Sequence, residues 1–432
     1  MTDTTEAADP AAPDDPANAL AEAAVAETDV ADLPEPDTLR DYLRMVYVRI
    51  RSGDSGVLPV IAGLLLISIV FQTLNSNFLT AGNLVNLLIQ GAVYMLLAMG
   101  EVFALLLGEI DLSIGFVSGI GGVITAELLK QSFGWPWWAA VIVALLICAA
   151  IGAFQGTIIT RIGLPSFVVT LAGLLGFQGV MLLILGQGGS LPINDKVVND
   201  FASGNLSPAV SWIVMIVIVA VLGVLMWVHE SRRRASGLVA PPVGLTVLKI
   251  AGSAVAGVAL VLICNSNRGR VAPIKGVPWV VLIVLGVLAA WTFLLGRTKF
   301  GRYVYAVGGN AEAARRAGIS LAKIRTLGFM LASFTAGIAG IIYASRLQSV
   351  STALDGGTLV LYAVAAAVIG GTSLFGGRGK AMHAVLGGVV IAAIDNGMSL
   401  QGYSAAAKNV VTAIVLLAAV TIDAVARRNA AA

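Results

Sequence analysis

Three carboxylates, Glu101, Glu109 and Asp111, fall within eleven residues in or beside a strongly hydrophobic stretch. An acid at the centre of a membrane helix costs about 2.5–3.5 kcal/mol, so such groups must face water, a basic partner or a polar interior. Two readings stand side by side. The acids line a polar path or make a buried polar contact, or Glu109 and Asp111 cap the next helix, since Asp111-Leu112-Ser113 precedes an apolar run. Glu101, a turn or more deeper, is the better candidate for a buried contact. A second set comprises Asp395, Asn396 and Gln401 late in the chain, with Asn86, Gln90 and Gln178 in earlier apolar runs. Scattered amides and carboxylates suit a path for a neutral, hydroxyl-rich solute. The same residue types also bond neighbouring helices together.

A third constellation is the charged stretch GRTKFGRYVYAVGGNAEAARRAGISLAKIR, residues 296–325. Gly308 and Gly309 are expected to break the preceding segment. Asn310 then suits an N-cap, and Gly318 a C-terminal stop. Glu312 in the first turn and Arg315 and Arg316 in the last match the helix dipole. This predicts a short capped helix suited to a groove on a soluble partner, or an interfacial helix whose arginines meet lipid phosphates.

Other chemistries are missing their residues. Cys148 and Cys264 both lie in apolar runs, and His229 and His383 stand far apart with no carboxylate at ligand spacing, so neither a disulfide framework nor a metal site is expected. No GxxxxGK[ST] occurs to cradle a nucleotide phosphate, and no Ser/His pair or metal cluster supports an enzyme.

The elements that must position these residues follow from composition. Of 432 residues, 58% are hydrophobic and 12% charged. A soluble domain carries about 25% charged residues, so this chain is an all-α polytopic membrane protein, which excludes most soluble-enzyme and nucleic-acid-binding readings. Residues 1–39 hold 11 of the 24 acids and no Lys or Arg. Rich in Ala, Pro, Asp and Glu, they read as a disordered acidic tail, and they lack the basic and apolar regions of a signal peptide. A basic lead-in at 40–56, a transmembrane body at 57–425 and a short end at 426–432 complete the organisation.

Apolar runs long enough to be spans number twelve, at 57–74, 84–106, 112–130, 138–159, 165–186, 208–228, 245–264, 277–296, 326–345, 358–374, 382–399 and 405–425. The tight pairs, second with third and tenth with eleventh, leave ten crossings as the fallback. With the N-terminus inside, 20 of the 27 basic residues fall on the cytoplasmic side and 7 outside. The positive-inside rule therefore predicts both termini in the cytoplasm. The outside loops are short, the longest at about 187–207, so no domain is expected there. GGTSLFGGRG at 370–379 places irregular backbone between two apolar runs, tolerated only where it is buried in protein or lines a cavity. It weakly echoes GEIDLSIG at 108–115.

The stretch TKFGRYVYAVGGNAEAARRAGISLAKIRTLGFMLASFTAGIAGIIYASR resembles the cytoplasmic coupling region of permease subunits of ABC sugar importers, in the ribose, xylose and arabinose branch. LLLGEIDLSIG at 105–115, VIGGTSLFGGRGK at 368–380 and IDNGMSL at 394–400 resemble the same family in the expected order. Glu109 within GEIDLS, IDNGMSL and the additional helix pair around RRRASGLVAPP are most similar to the xylose-type permease, while the acidic tail departs from it. The resemblance implies an ABC importer permease fold and a homodimer in the bacterial cytoplasmic (inner) membrane, passing D-xylose or a related monosaccharide. It implies a sugar-binding protein outside and an ATPase with two nucleotide-binding modules inside, which alone binds ATP and Mg. The family's coupling helix carries over to Gly309, Asn310, Glu312, Ala313, Ala314, Arg315, Arg316 and Gly318. Glu101, Glu109, Asp111, Ser113, Asn86, Gln90, Gln178, Asp395 and Asn396 are then candidates for the translocation path or buried polar contacts, and the acids also for pinning the two halves of the dimer. The runner-up is an ion-coupled secondary sugar carrier, which also has twelve spans with both termini inside. The charged loop follows the eighth span here, however, not the sixth.

Overall fold

The computed structural model describes residues 58–237, 242–269 and 272–431; the acidic tail and the basic lead-in lie outside the described residues. Each of the twelve apolar runs contains an α-helix. In chain order the α-helices are α1 (Leu58–Leu74), α2 (Ala81–Leu106), α3 (Ile114–Leu128), α4 (Trp137–Ile162), α5 (Ser166–Leu185), α6 (Lys196–Ser203), α7 (Pro208–Ala235), α8 (Val243–Asn265), α9 (Trp279–Arg297), α10 (Lys299–Gly309), α11 (Ala311–Arg316), α12 (Leu321–Leu347), α13 (Gly356–Ile369), α14 (Ala381–Leu400) and α15 (Ala405–Ala431). Eight of them, α2, α4, α5, α7, α8, α9, α12 and α14, are long and apolar enough to cross a membrane. Four apolar stretches are shorter: α1, α3, α13 and residues 405–418 of α15. At 1.5 Å per residue α3 and α13 reach only about 21–22 Å, less than the roughly 30 Å hydrocarbon layer. These short helices follow α2 and precede α14, in the two tight pairs.

The apolar helices divide by burial. Over its most apolar stretch α2 is 83% buried, α14 72% and α12 67%, whereas α7 and α8 are each 11% buried. A helix apolar all round belongs in a core or against lipid, and both kinds occur here. Leu96, Leu97, Met99, Phe103, Leu105 and Leu106 of α2 are fully buried against α12, α13 and α14. By contrast, Phe154 of α4, Leu175 and Leu183 of α5 and Leu225 of α7 are exposed.

Small residues bring the central helices together, as expected where packing rather than hydrophobicity drives association. On α4, Gly152 and Gly156 meet α12 so closely that a Cβ at 152 would lie 2.2 Å from the Phe329 carbonyl oxygen, and one at 156 would lie 2.7 Å from the Thr326 Cα.

An all-α fold is the expectation, and the structure adds a small sheet to it. β1 (Ser190–Pro192) pairs antiparallel with β2 (Ser349–Ser351), Leu191 opposite Val350. The 187–207 loop then folds into α6, where Asp195 caps by accepting the Val198 N–H at 3.0 Å. Ser345 of α12 holds α6 by accepting from the Ala202 N–H and donating to the Asn199 carbonyl, both at 3.0 Å. β1 is only three residues long and its partner strand follows α12, too far along the chain for local periodicity to reveal the pairing.

By compactness, the described residues between 220 and 253 fall in one unit, and those between 58 and 219 and between 254 and 431 in another. Within the first, Glu230 of α7 is buried and stands 3.5 Å from Arg234 and 3.6 Å from Lys249, with the Thr246 hydroxyl donating to it. The helix pair around RRRASGLVAPP thus carries its own buried charge centre.

Candidate coupling and translocation sites

α11 is built as a complete cap-to-cap unit. Asn310 has extended backbone, and its Oδ1 accepts the Ala313 N–H at 2.9 Å. At the other end the Ile319 N–H reaches the Ala314 carbonyl and the Gly318 N–H the Arg315 carbonyl, each at 3.0 Å. Gly318 sits at φ +82°, the left-handed conformation that this double closure requires. Arg315 grips Glu312 through two bonds of 2.9 and 2.8 Å, and Arg316 adds a third at 3.0 Å. These guanidiniums hold the Glu312 carboxyl below its ordinary value. All three charged side chains stay exposed, while Ala314 on the opposite side is buried.

One expectation is corrected here. Gly308 and Gly309 do not break the preceding segment: α10 runs as a continuous helix through Gly309. Gly308 serves close approach instead, since a Cβ there would lie 1.7 Å from the Leu106 carbonyl oxygen at the end of α2. That same carbonyl accepts the Gly377 N–H at 2.9 Å, and Gly376 packs against Gly308 and Gly108. The three irregular segments singled out in the sequence, around 108, 308 and 376, therefore meet at one point. Tyr305 of α10 donates to the Gly379 carbonyl at 2.8 Å, and burial pushes its phenol up. Glu109 pairs with Arg325 at the start of α12 at 3.3 Å. α11 is thus tied through α10 and α12 to the ends of the buried helices.

Just inside this junction lie Glu101 and Asp111, both fully buried. The Asp111 N–H donates to Glu101 Oε1 at 3.2 Å, and Asp111 Oδ1 accepts from the Ser113 N–H at 2.9 Å and its hydroxyl at 2.6 Å. Gln155 of α4 bonds the Ser113 hydroxyl at 3.0 Å. Asp111 thus organises the turn entering α3, as a capping residue would, but from inside the protein. Glu101 Oε2 and Asp111 Oδ2 find no hydrogen-bond partner among the described residues.

At the far ends of α2 and α14 the second polar set gathers. Asp395 accepts from the Tyr94 hydroxyl at 2.9 Å and from the Gln90 amide, and pairs with Lys408 of α15 at 3.0 Å. Beside it Asn83 donates to the Asn396 side chain at 2.8 Å. Gln90, Asp395 and Asn396 are therefore brought together. Asn86 stays exposed on α2, Gln178 is half-buried on α5 without a hydrogen bond among the described residues, and Gln401 follows the end of α14. Neither Asn86 nor Gln178 joins this cluster: Asn86 is exposed, and Gln178 sits on α5 rather than on α2 or α14.

Sequence reasoning did not name Asn83, Tyr94, Gln155, Arg325 or Lys408 as members of these sites. For Lys408 a signal was present, a cation in the first turn of an apolar run. The two cysteines are free and buried, and no group of three or more His, Cys, Asp or Glu suited to a metal ion occurs among the described residues.

A family model described as the permease component of the branched-chain amino acid transport system matches residues 83–233 and 239–420. The xylose transport system permease protein of Escherichia coli strain K12 is 34% identical over 383 residues, covering 88% of this chain and 94% of its own length. The ribose import permease protein of the same strain is 31% identical over 364 residues, 84% of this chain and 92% of that protein. Its D-allose transport system permease protein is 28% identical over 361 residues, 83% and 89% of the two chains. No solved structure matches. A multi-pass helical body with a capped helix tied to its buried core, matched along most of its length in this way, belongs to this family of transport-system permeases, in the branch that includes the xylose and ribose permeases.

Proposed function

We propose that the chain is the membrane-spanning subunit of an ATP-driven monosaccharide importer, for D-xylose or a related sugar, working as a homodimer in a bacterial cytoplasmic membrane. A tandem-module ATPase binds ATP and Mg on the inside and docks on α11, and a sugar-binding protein delivers from the outside. All twelve apolar helices belong to the membrane body, and both termini are cytoplasmic, a reading supported by the 20-to-7 distribution of basic residues. The similar proteins are xylose, allose and ribose permeases, which supports the sugar class, and the family does not favour the ion-coupled alternative.

The observation that carries the reading is α11 itself. It is capped at both ends, presents Arg315 and Arg316 outward, and is joined through Gly308 to the end of α2. A push on α11 is thereby delivered to the most buried helix rather than lost in a loop. Asp395, Asn396, Gln90 and Glu101 supply polar groups along α2 and α14, and Asp111 one more in the turn entering α3, which suits a wet, weakly attractive path for a neutral sugar while selection rests with the binding protein.

Replacing Arg315 and Arg316 with Glu tests the assignment. The variant should insert normally and lose co-purification with its ATPase, and intact co-purification would remove α11 from the interface. Uptake into vesicles tests the energy source. It should stop on ATP depletion at constant membrane potential, and uptake abolished only by a protonophore would overturn the ABC reading. Deleting residues 2–38 should leave transport largely intact.

A further inference from the structure

Beyond the tight crossing at Gly152 and Gly156, α4 and α12 part, and a groove of about 380 Å³ opens between them at the end that bears α11. Thr157, Thr160 and Arg161 line one wall, and Lys323, Thr326 and Leu327 the other. Neither cation has an ion-pair partner among the described residues, although their neighbours do: Arg325 is paired with Glu109, and Arg315 and Arg316 with Glu312. The hydroxyls of Thr157 and Thr160 each donate to a carbonyl of their own helix at 2.7 Å. Thr326 bonds no backbone carbonyl; its hydroxyl meets that of Thr160 at 3.4 Å, a long contact that a phosphate oxygen in the groove would displace as the stronger acceptor.

The polar end of the groove thus offers donors and positive charge and no carboxylate. Its surroundings are the reverse. Phe154 is 64% exposed, Ile162 68% and Leu327 38%, on helices long and apolar enough to cross a membrane. An occupant must therefore join an anionic, acceptor-rich head to an apolar tail. We propose that this groove is a binding site for an anionic phospholipid. The phosphodiester sits between Arg161 and Lys323, Thr326 donates to a phosphate oxygen, and the acyl chains lie along the exposed face of α4. Basic pockets between membrane helices at the headgroup level recognise such lipids by this chemistry. The lipid would brace the first turn of α12, which follows directly from α11.

The test uses full-length protein in nanodiscs that mix phosphatidylglycerol with phosphatidylcholine, with retained lipid counted by native mass spectrometry. Wild type should retain phosphatidylglycerol preferentially. Arg161→Gln with Lys323→Gln should weaken that preference roughly thirty-fold, the effect of about two cations near a membrane surface, at unchanged melting temperature. Thr326→Val should weaken it several-fold. Lys299→Gln with Arg302→Gln removes the same charge from neighbouring α10 and should leave the preference intact; an equal loss there would mean a diffuse basic surface and overturn the site. Displacement of the lipid by millimolar inorganic phosphate would show that the groove takes a free anion. An unchanged lipid preference in the Arg161/Lys323 variant, with loss of ATPase binding, would assign the groove to a protein partner.

Discussion

The two ends of α2 solve the burial of charge in opposite ways. At one end Asp395 has a cation, Lys408, and further donors in Tyr94 and Gln90, and Asn83 and Asn396 extend the network beside it. Side chains from α2, α14 and α15 hold one another, and each charge answers the other. At the other end Glu101 and Asp111 have no cation as a partner. Their bonds run to one backbone N–H and to Ser113, and one oxygen of each is left without a partner. Contact between elements there comes from backbone, with Gly308 and Gly377 converging on the Leu106 carbonyl. Removing one member of a buried ion pair leaves the other charge buried without compensation. A backbone junction tolerates a change of charge but not a change of size.

That contrast orders the expected effects. Lys408→Met should be the most damaging, about 3–5 kcal/mol in stability, because it strands Asp395 without its cation. Thermal unfolding in detergent measures it, and adding Asp395→Asn in the same chain should restore most of the loss. A single variant no worse than the double would mean that the pair is not what holds this end. Gly308→Val should cost about 1–3 kcal/mol by overpacking against the end of α2. It should also reduce ATPase retention by the folded fraction, the readout that separates a coupling junction from a merely tight one.

Glu101→Gln should cost under about 1 kcal/mol, since an amide keeps an acceptor for the Asp111 N–H and adds a donor at a site that lacks one. A loss as large as that of Lys408→Met would erase the distinction between the two ends. The smallest effect concerns pH. Glu312 is held below its ordinary 4.5 by Arg315 and Arg316, so the bonding it contributes to α11 is complete above that value and is lost as pH falls through the lowered one. ATPase retention should therefore be flat in neutral buffer and decline only in acid.

α11 was legible because its determinants are local. Asn310 as cap, Glu312 four residues before Arg316, and Gly318 as the left-handed stop all act within a span of nine residues. The twelve apolar helices were legible for the same reason, each run being a property of its own composition. Gly308 was misread because its reason to be glycine is not local: the obstacle is a carbonyl some two hundred residues earlier in the chain. Lys408, Tyr94 and Asn83 went unnamed as partners of Asp395 and Asn396, and Arg325 as the partner of Glu109, because no periodicity links α2 to α14 and α15 or a loop at 109 to the start of α12.

The sequence by itself determined that this is a polytopic helical permease with a short capped helix after Asn310, since composition, hydropathy and capping are short-range quantities. Only the tertiary structure decided which helices are core and which stay exposed. It also decided which acids have cations, and that the segments around 108, 308 and 376 form a single junction. Those outcomes depend on which surfaces meet, and two apolar helices of equal hydropathy carry no mark that tells protein from lipid until they are packed.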